Sequence, residues 1–208
     1  MNWTNLPKFR DDVEIFNNAN RDDINEINDM LISGDIRKLR VLGTGAEGIV
    51  YEYGNYAIKV NKYGDYLTDC KILKDLHQLD FLPKLYAIIE DKAIISEKIN
   101  GNTMSTIMKS RKIFNTDIDM YDYFVDMLLD IVDSGYSPYD MHQDNIMICE
   151  KTSKLKIVDV GLFQRTNIEC GQDLFSDYGL QQALDFVNRG DIEQCFSLST
   201  AKAYEGAI

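Results

Sequence analysis

Three glycines and a valine form the pattern G-x-G-x-x-G-x-V at Gly43, Gly45, Gly48 and Val50. Glycines in such a turn let the backbone approach a triphosphate closely and direct N–H groups at its oxygens. The same glycine spacing occurs in dinucleotide-binding folds, where a helix starts at the glycines. Because Ile49–Tyr53 has the composition of a strand, the sequence predicts a phosphate-binding flap between two strands instead.

A lysine follows eleven residues after Gly48, at the end of the next predicted strand. Lys59 at this place can reach the α- and β-phosphates of a nucleotide under the flap. A carboxylate on the following helix should hold that lysine in place. Asp69 is where such a carboxylate is expected, although Asp is shorter than the usual Glu, and a surface charge on a helix explains Asp69 equally well.

Hard oxygen donors cluster in a second part of the chain. Asp140 precedes Asn145 by five residues, and Asp159 follows Asn145 by fourteen. A loop carboxylate and an amide at this spacing can place a base at an attacking hydroxyl and an amide oxygen on Mg²⁺. Asp159, at the end of a predicted hairpin, would place a second oxygen ligand beside the same metal.

Hydrophobic periodicity predicts the elements that carry these residues. A polar N-terminal part containing one helix precedes a strand-rich region, and a helical region with one hairpin follows. The predicted elements are a helix over 22–33 that ends near Gly34, strands within 39–60, a helix over 66–79, strands at 85–89 and 93–95, a helix over 120–134, a hairpin of 146–149 with 155–158, and a last helix containing Leu180, Leu184 and Val187.

These motifs, in this order and on these elements, resemble the protein-kinase-like superfamily from about residue 37 to residue 161. The resemblance implies an α+β, two-lobe protein-kinase-like fold, with a polar helical extension over 1–34, a β-rich N-lobe over 35–99 and a truncated helical C-lobe over 100–208. It also implies ATP under the flap, Asp140 as the catalytic base, and Asn145 and Asp159 as Mg²⁺ ligands.

The same resemblance implies an adenine site at a connector whose main chain hydrogen-bonds the base. Its expected residues are Val50 and Ala57 above the ring, Ser96 behind it, Glu97 and Ile99 along the connector, and Met147 below. Ordinary apolar packing is a sufficient alternative account of Val50, Ala57 and Met147.

The chain departs from protein kinases near Asp140. Pro138-Tyr139 replaces the usual His-Arg pair, which predicts no control by phosphorylation of an activation segment. His142 stands where Ser/Thr kinases have a lysine, so the pattern Asp-x-His-x-Asp-Asn also resembles small-molecule phosphotransferases acting on aminoglycosides, choline or sugars. His142 is predicted either to hydrogen-bond the phosphates or to pack the loop.

The last part of the chain also departs from the family. Only 49 residues follow Asp159, without an Ala-Pro-Glu motif. The leading expectation is therefore a minimal bacterial or phage-type Ser/Thr protein kinase that acts on an unidentified protein substrate. A small-molecule phosphotransferase is the second expectation, and a pseudokinase that serves as a binding module is the third.

Composition excludes several other functions. The formal charge is −12 and the isoelectric point is about 4.6, which argues against nucleic acid and against anionic membranes as partners. The four cysteines show no C-x-x-C spacing, and His77 and His142 are too few for an obvious zinc site. No stretch of about 18 apolar residues and no secretory pattern occurs, so a cytoplasmic protein with reduced thiols is expected.

Overall fold

The structure, a computed structural model, describes residues 13–45, 48–61, 67–90, 92–169 and 171–198. These residues form a mixed α+β protein with a large antiparallel sheet. Contacts divide the chain into two units. The first unit holds the described residues up to Cys70 together with Lys84–Lys98, and the second holds Lys71–Pro83 and the described residues from Ile99 onward.

The first unit is built on a six-stranded antiparallel sheet. Its strands are β1 (Val13–Ile15), β2 (Val41–Thr44), β3 (Gly48–Tyr53), β4 (Tyr56–Asn61), β5 (Leu85–Ile89) and β6 (Ala93–Glu97). They lie in the order β1-β5-β6-β4-β3-β2, so β2 and β1 form the two edges. A two-residue turn joins β3 to β4, where Gly54 supplies the positive φ of 56° that this tight connection favours.

One helix covers one face of this sheet. The side chain of Asn20 accepts the N–H of Asp22 at the start of α1 (Arg21–Ser33), and Gly34 ends the helix in the left-handed conformation with φ 79°. Ile24 and Ile27 on this helix are completely buried against the sheet. The predicted helix over 22–33 is thereby confirmed.

The second unit is helical with short strands. Its elements are β7 (Gly101–Thr103), α3 (Met104–Ser110), β8 (Phe114–Thr116), α4 (Met120–Asp133), β9 (Tyr136–Ser137), β10 (Ile146–Cys149), β11 (Leu155–Ile157), β12 (Gln164–Arg165), α5 (Tyr178–Phe186), α6 (Arg189–Glu193) and β13 (Phe196–Leu198). The core of this unit includes one face of α4, on which Phe124, Leu128 and Ile131 are fully buried. The hairpin β10–β11 and helix α4 confirm the predicted elements in this region.

The predicted helix over 66–79 is shorter in the structure, because α2 (Leu67–Asp75) ends four residues earlier. In the last turn, the carbonyl oxygen of Lys74 lies 2.9 Å from His77 Nδ1, so a side chain contacts one of the acceptors left at the helix end. Residue 66 lies outside the described residues. Among the described residues, no helix combines the length and apolar character needed to cross a bilayer.

Candidate functional site

Strand register places four predicted nucleotide contacts on one face of the sheet. Val50 is opposite Lys59, and Ala57 is opposite Ser96, so all four side chains project from the same side. Their neighbours in the strands project from the other side, which α1 covers. The four residues are only partly buried, and the face they occupy is the one left free by α1.

The glycine-rich segment is a turn between two antiparallel strands. Gly43 lies in β2, Gly48 begins β3, and Gly45 N–H donates to the carbonyl oxygen of Gly48 at 2.9 Å. The chain continues from Gly48 into a strand, so the predicted strand–flap–strand arrangement is confirmed and the dinucleotide type, with a helix at the glycines, is excluded. Ala46 and Glu47 lie outside the described residues.

The three glycines differ in what the fold requires of them. A Cβ at Gly48 would lie 2.6 Å from the carbonyl oxygen of Val60, so close strand packing demands glycine there. Gly43 and Gly45 have no described atom within 4 Å of the Cβ position, and neither has a left-handed φ. The register of β2 and β3 shifts between Val41 and Gly43, and glycine is common at such an irregularity. For Gly45 the described residues supply no such reason, and the close approach of a ligand would account for it.

Lys59 and Asp69 form an ion pair within the first unit. Lys59 Nζ lies 2.5 Å from Asp69 Oδ2, and the exposed fractions of the two side chains are 17% and 7%. Asp69 sits in the first turn of α2, where the helix dipole favours a negative charge. The alternative, that Asp69 is a charge on the helix surface, is wrong. Such a buried pair costs desolvation that its attraction only partly offsets, and buried ion pairs are therefore weak stabilisers.

The remaining predicted adenine contacts, Glu97, Ile99 and Met147, lie on three different segments. Glu97 ends β6, and its N–H donates to the carbonyl oxygen of Lys84 at 2.8 Å, so its amide is already used within the sheet. Ile99 follows as the first residue of the longer segment of the second unit. Met147 is half-buried in β10, opposite Thr103 of β7.

The second unit presents Asp140 on a loop between β9 and β10. Its side chain is 49% exposed, and its backbone has a φ of 59°, a conformation that costs energy for most residues. The amide Nδ2 of Asn145 donates to the carbonyl oxygen of Asp140 at 2.9 Å and approaches Oδ2 at 3.5 Å. The structure thus brings these two predicted site residues together, with Asn145 holding the loop in its uncommon shape.

His142 faces the same carboxylate. The N–H of Asp144 donates to His142 Nδ1 at 3.2 Å, which assigns the proton of a neutral imidazole to Nε2. His142 Nε2 lies 3.8 Å from Asp140 Oδ2, beyond hydrogen-bond length but within reach of a small movement. The side chain of His142 is 38% exposed, so it is oriented by the loop without being enclosed in it.

The hairpin brings the two predicted metal ligands to one end. Asn145 immediately precedes β10, Asp159 follows shortly after β11, and the N–H of Val158 donates to the carbonyl oxygen of Asn145 at 3.0 Å. Because the amide nitrogen of Asn145 binds Asp140, its Oδ1 is directed away from that contact. Asp159 is half-buried, and its Oδ1 accepts the N–H of Gly161 at 3.2 Å.

The donor set at this end of the hairpin suits a hard cation that is partly coordinated by a ligand. Among the described residues, no group of three or more His, Cys, Asp or Glu side chains is arranged to hold a metal ion. One amide oxygen and one carboxylate are instead the kind of partial set that Mg²⁺ uses when phosphate oxygens and water complete its shell.

Two residues that support these loops are absent from the sequence-based prediction. Gln143 Nε2 donates to the carbonyl oxygen of Phe186 at 2.8 Å and to Asp191 Oδ2 at 3.1 Å, which anchors the Asp140 loop to the end of α5 and to α6. Asp177 is a buried carboxylate that caps α5. The capping position of Asp177 could have been found from its place just before a helical pattern, but its other contacts could not.

Comparison with known protein families and with curated proteins finds no match for this chain. The assignment of chemistry to these residues therefore rests on their geometry and on the motifs of the sequence.

Proposed function

We propose that this chain is an ATP- and Mg²⁺-dependent phosphotransferase with a two-lobe protein-kinase-like fold, and that it acts as a minimal Ser/Thr protein kinase. The observation that carries the proposal is the buried Lys59–Asp69 pair on the sheet face that α1 leaves free. Because a buried ion pair contributes little to stability, the presence of this one is explained if the ammonium group of Lys59 also binds phosphate.

The first unit would bind the nucleotide. No described atom lies within 4 Å of the Cβ position of Gly43 or Gly45, which would leave space for the phosphates. Lys59 would neutralise the α- and β-phosphates, with Asp69 restricting the ammonium group to one position. Val50 and Ala57, on the same sheet face as Lys59, would supply apolar contact to the adenine ring.

The second unit would supply the groups for transfer. Asp140, exposed and oriented by Asn145, would accept the proton of the attacking hydroxyl. The new bond forms between the acceptor oxygen and the γ-phosphorus, the bond from that phosphorus to the β-phosphate oxygen breaks, and ADP leaves. Asn145 and Asp159 would hold Mg²⁺, which supplies neutralisation of phosphate charge when it is bound.

Two observations bear on the acceptor. The 49% exposure of Asp140 leaves the base within reach of a hydroxyl presented on a large molecule. His142, in the Asp-x-His-x-Asp-Asn pattern and close to the base, favours the second candidate, a small-molecule phosphotransferase.

Transfer of label from γ-labelled ATP tests the proposal and separates these candidates. The purified protein is incubated with ATP and Mg²⁺ in three reactions: with a generic basic protein, with a mixture of aminosugars and alcohols, and alone. Asp140→Asn is the matched control. Label on protein that disappears in the control supports a protein kinase, and label only on small molecules supports the second candidate. No transfer in any reaction would contradict both.

A further inference from the structure

A groove in the second unit is lined by none of the residues assigned to nucleotide binding or phosphoryl transfer. It has a volume of about 240 Å³ and is formed by the strand pair β8–β13, the start of α4 and helix α6. Drug-sized ligands usually occupy cavities of about 300–1,000 Å³. The groove is therefore better suited to side chains of a protein than to a free small molecule.

The floor of the groove is buried and apolar, and its rim is exposed and also apolar. Met120, Ile192 and Phe196 form the buried floor. Ile118 and Leu198 at the rim are 51% and 58% exposed. Single exposed aliphatic side chains are common, whereas two at one groove with an apolar floor form a patch of the kind that marks interaction sites.

The two strands that line the groove are short and have unpaired edges. β8 and β13 are parallel and three residues long, with Leu198 opposite Thr116. Within the described residues they form a sheet of their own, so each strand has one edge without a neighbouring strand. Parallel strands are normally covered by further structure, and a pair this short is marginal alone. An extended segment added here supplies main-chain hydrogen bonds, and its side chains alternate toward the groove.

Acidic side chains give the groove an excess of negative charge. The guanidinium of Arg189 lies 2.7 Å from an oxygen of Asp119 and 2.7 Å from an oxygen of Asp122, so this cation is already paired within the protein. Glu193 also lines the groove, is exposed, and makes no ion pair with the described part of the chain. Carboxylates thus outnumber cations, and the groove attracts a basic partner.

We propose that this groove binds an extended segment of a partner protein that carries apolar side chains at alternate positions beside basic residues. The apolar side chains pack between Ile118 and Leu198, and a Lys or Arg of the partner pairs with Glu193. A second copy of this chain fits less well, because a formal charge of −12 makes two copies repel. The inference does not rest on the proposed phosphotransferase activity.

Selection from a phage-displayed library of random peptides tests the proposal on the intact protein. Wild type is the target, and prior adsorption on Leu198→Asp removes peptides that bind elsewhere. The expected result is enrichment of peptides in which Lys or Arg accompanies apolar residues at alternate positions. Enrichment of acidic peptides, or none beyond the Leu198→Asp background, would overturn the proposal.

Fluorescence anisotropy with the most enriched peptide measures the affinity of each variant. Leu198→Asp should weaken binding about tenfold or more, because a charge replaces an apolar contact at the groove. Glu193→Lys should weaken binding about threefold or more and reduce its dependence on salt. Ile32→Asp, at a similarly exposed aliphatic position of α1, is the matched control and should leave binding unchanged. Binding that Leu198→Asp or Glu193→Lys leaves unchanged would contradict the assigned contacts.

Sedimentation of wild type and Leu198→Asp tests the alternative occupant. Because Leu198 is exposed, the substitution should leave the unfolding temperature unchanged, and both proteins should have the same oligomeric state. Self-association of wild type that Leu198→Asp abolishes would assign the groove to a second copy of this chain and overturn the proposal.

Discussion

The two units hold their candidate residues in different ways. In the first unit, Val50, Ala57 and Lys59 are placed by the register of a six-stranded sheet, and only Lys59 needs a side-chain partner. In the second unit, Asp140 lies on a loop whose shape depends on a side-chain bond from Asn145. Backbone pairing should therefore keep the positions of the first unit's residues when neighbouring side chains are substituted. The position of Asp140 depends instead on individual polar side chains.

The largest expected effect concerns Asp140. Asp140→Asn keeps the size of the side chain but removes the base, so phosphoryl transfer should fall about 10²- to 10⁴-fold. Binding of ATP, which depends on the first unit in this account, should change less than about threefold. Parallel measurement of initial rates and of ATP binding by calorimetry checks this separation. A comparable loss of binding would contradict the role given to Asp140.

Substitution of Lys59 tests whether this residue contributes to the stability of the protein, to ATP binding, or to both. Lys59→Met leaves the carboxylate of Asp69 buried without its cation, which should lower the free energy of unfolding by about 3–5 kcal/mol. The double variant Lys59→Met, Asp69→Leu removes both charges and should regain most of that stability. It should not regain ATP binding.

Chemical denaturation and calorimetry of the Lys59 and Asp69 variants give the two readouts. Recovery of ATP binding in the double variant would show that Lys59 has a structural role only. Unchanged stability of Lys59→Met would contradict the burial of the pair.

Substitution of the glycines of the flap should have a smaller effect. Gly43→Ala and Gly48→Ala should differ in their effect on stability, so each serves as a control for the other. Gly48→Ala brings a methyl group against the carbonyl oxygen of Val60 and should destabilise the protein by about 1–3 kcal/mol. Gly43→Ala meets no described atom and should leave stability unchanged or higher by about 0.4–1 kcal/mol. If phosphate approaches Gly43 closely, Gly43→Ala should still weaken ATP binding by about tenfold. Normal ATP binding by this variant would remove Gly43 from the site.

The smallest expected effect concerns Asp119–Arg189, an exposed ion pair of the second unit that contrasts with the buried Lys59–Asp69 pair of the first. The hydrogen bond from Arg189 lowers the pKa of Asp119, with further help from the backbone N–H groups at the start of α4. A lowered folded pKa means that this contribution is present above the ordinary Asp pKa of about 3.9 and is lost as the pH falls through the folded value.

Because the side chains of Asp119 and Arg189 are 37% and 46% exposed, solvent screens the pair and its contribution to stability should be small. Thermal unfolding between pH 6 and about pH 3 should show a slightly steeper loss in wild type than in Asp119→Asn. An equal loss in both proteins would show that the pair contributes nothing.

Local patterns in the sequence predicted the elements but not their long-range contacts. The helix α1 was predictable because Ile24 and Ile27 recur at helical spacing and Gly34 ends the pattern. The strand–flap–strand arrangement followed from β-branched and aromatic residues around the glycines. The end of α2 at Asp75 was missed because the apolar spacing, which includes Leu76 and Leu79, continues beyond it.

The candidate site was predictable only in part, because local patterns predict contacts between neighbouring elements but not long-range contacts. The meeting of Lys59 with Asp69, ten residues apart, followed from one strand and the next helix. The contact of Asp177 with Ser137, forty residues away, requires the tertiary fold to be known. Hydroxyl and carboxylate side chains have many possible partners, and their spacing along the chain does not select one.

Titration of ATP into the wild-type protein, with and without Mg²⁺, tests the central claim most directly. The account predicts saturable binding with a dissociation constant in the range of about 1 μM to 1 mM. It also predicts that Mg²⁺ tightens binding and that Asp159→Asn reduces this dependence on Mg²⁺. The absence of saturable ATP binding with Mg²⁺ present would contradict the assignment of the Gly43–Gly48 turn, Lys59 and Asp69 to a nucleotide site.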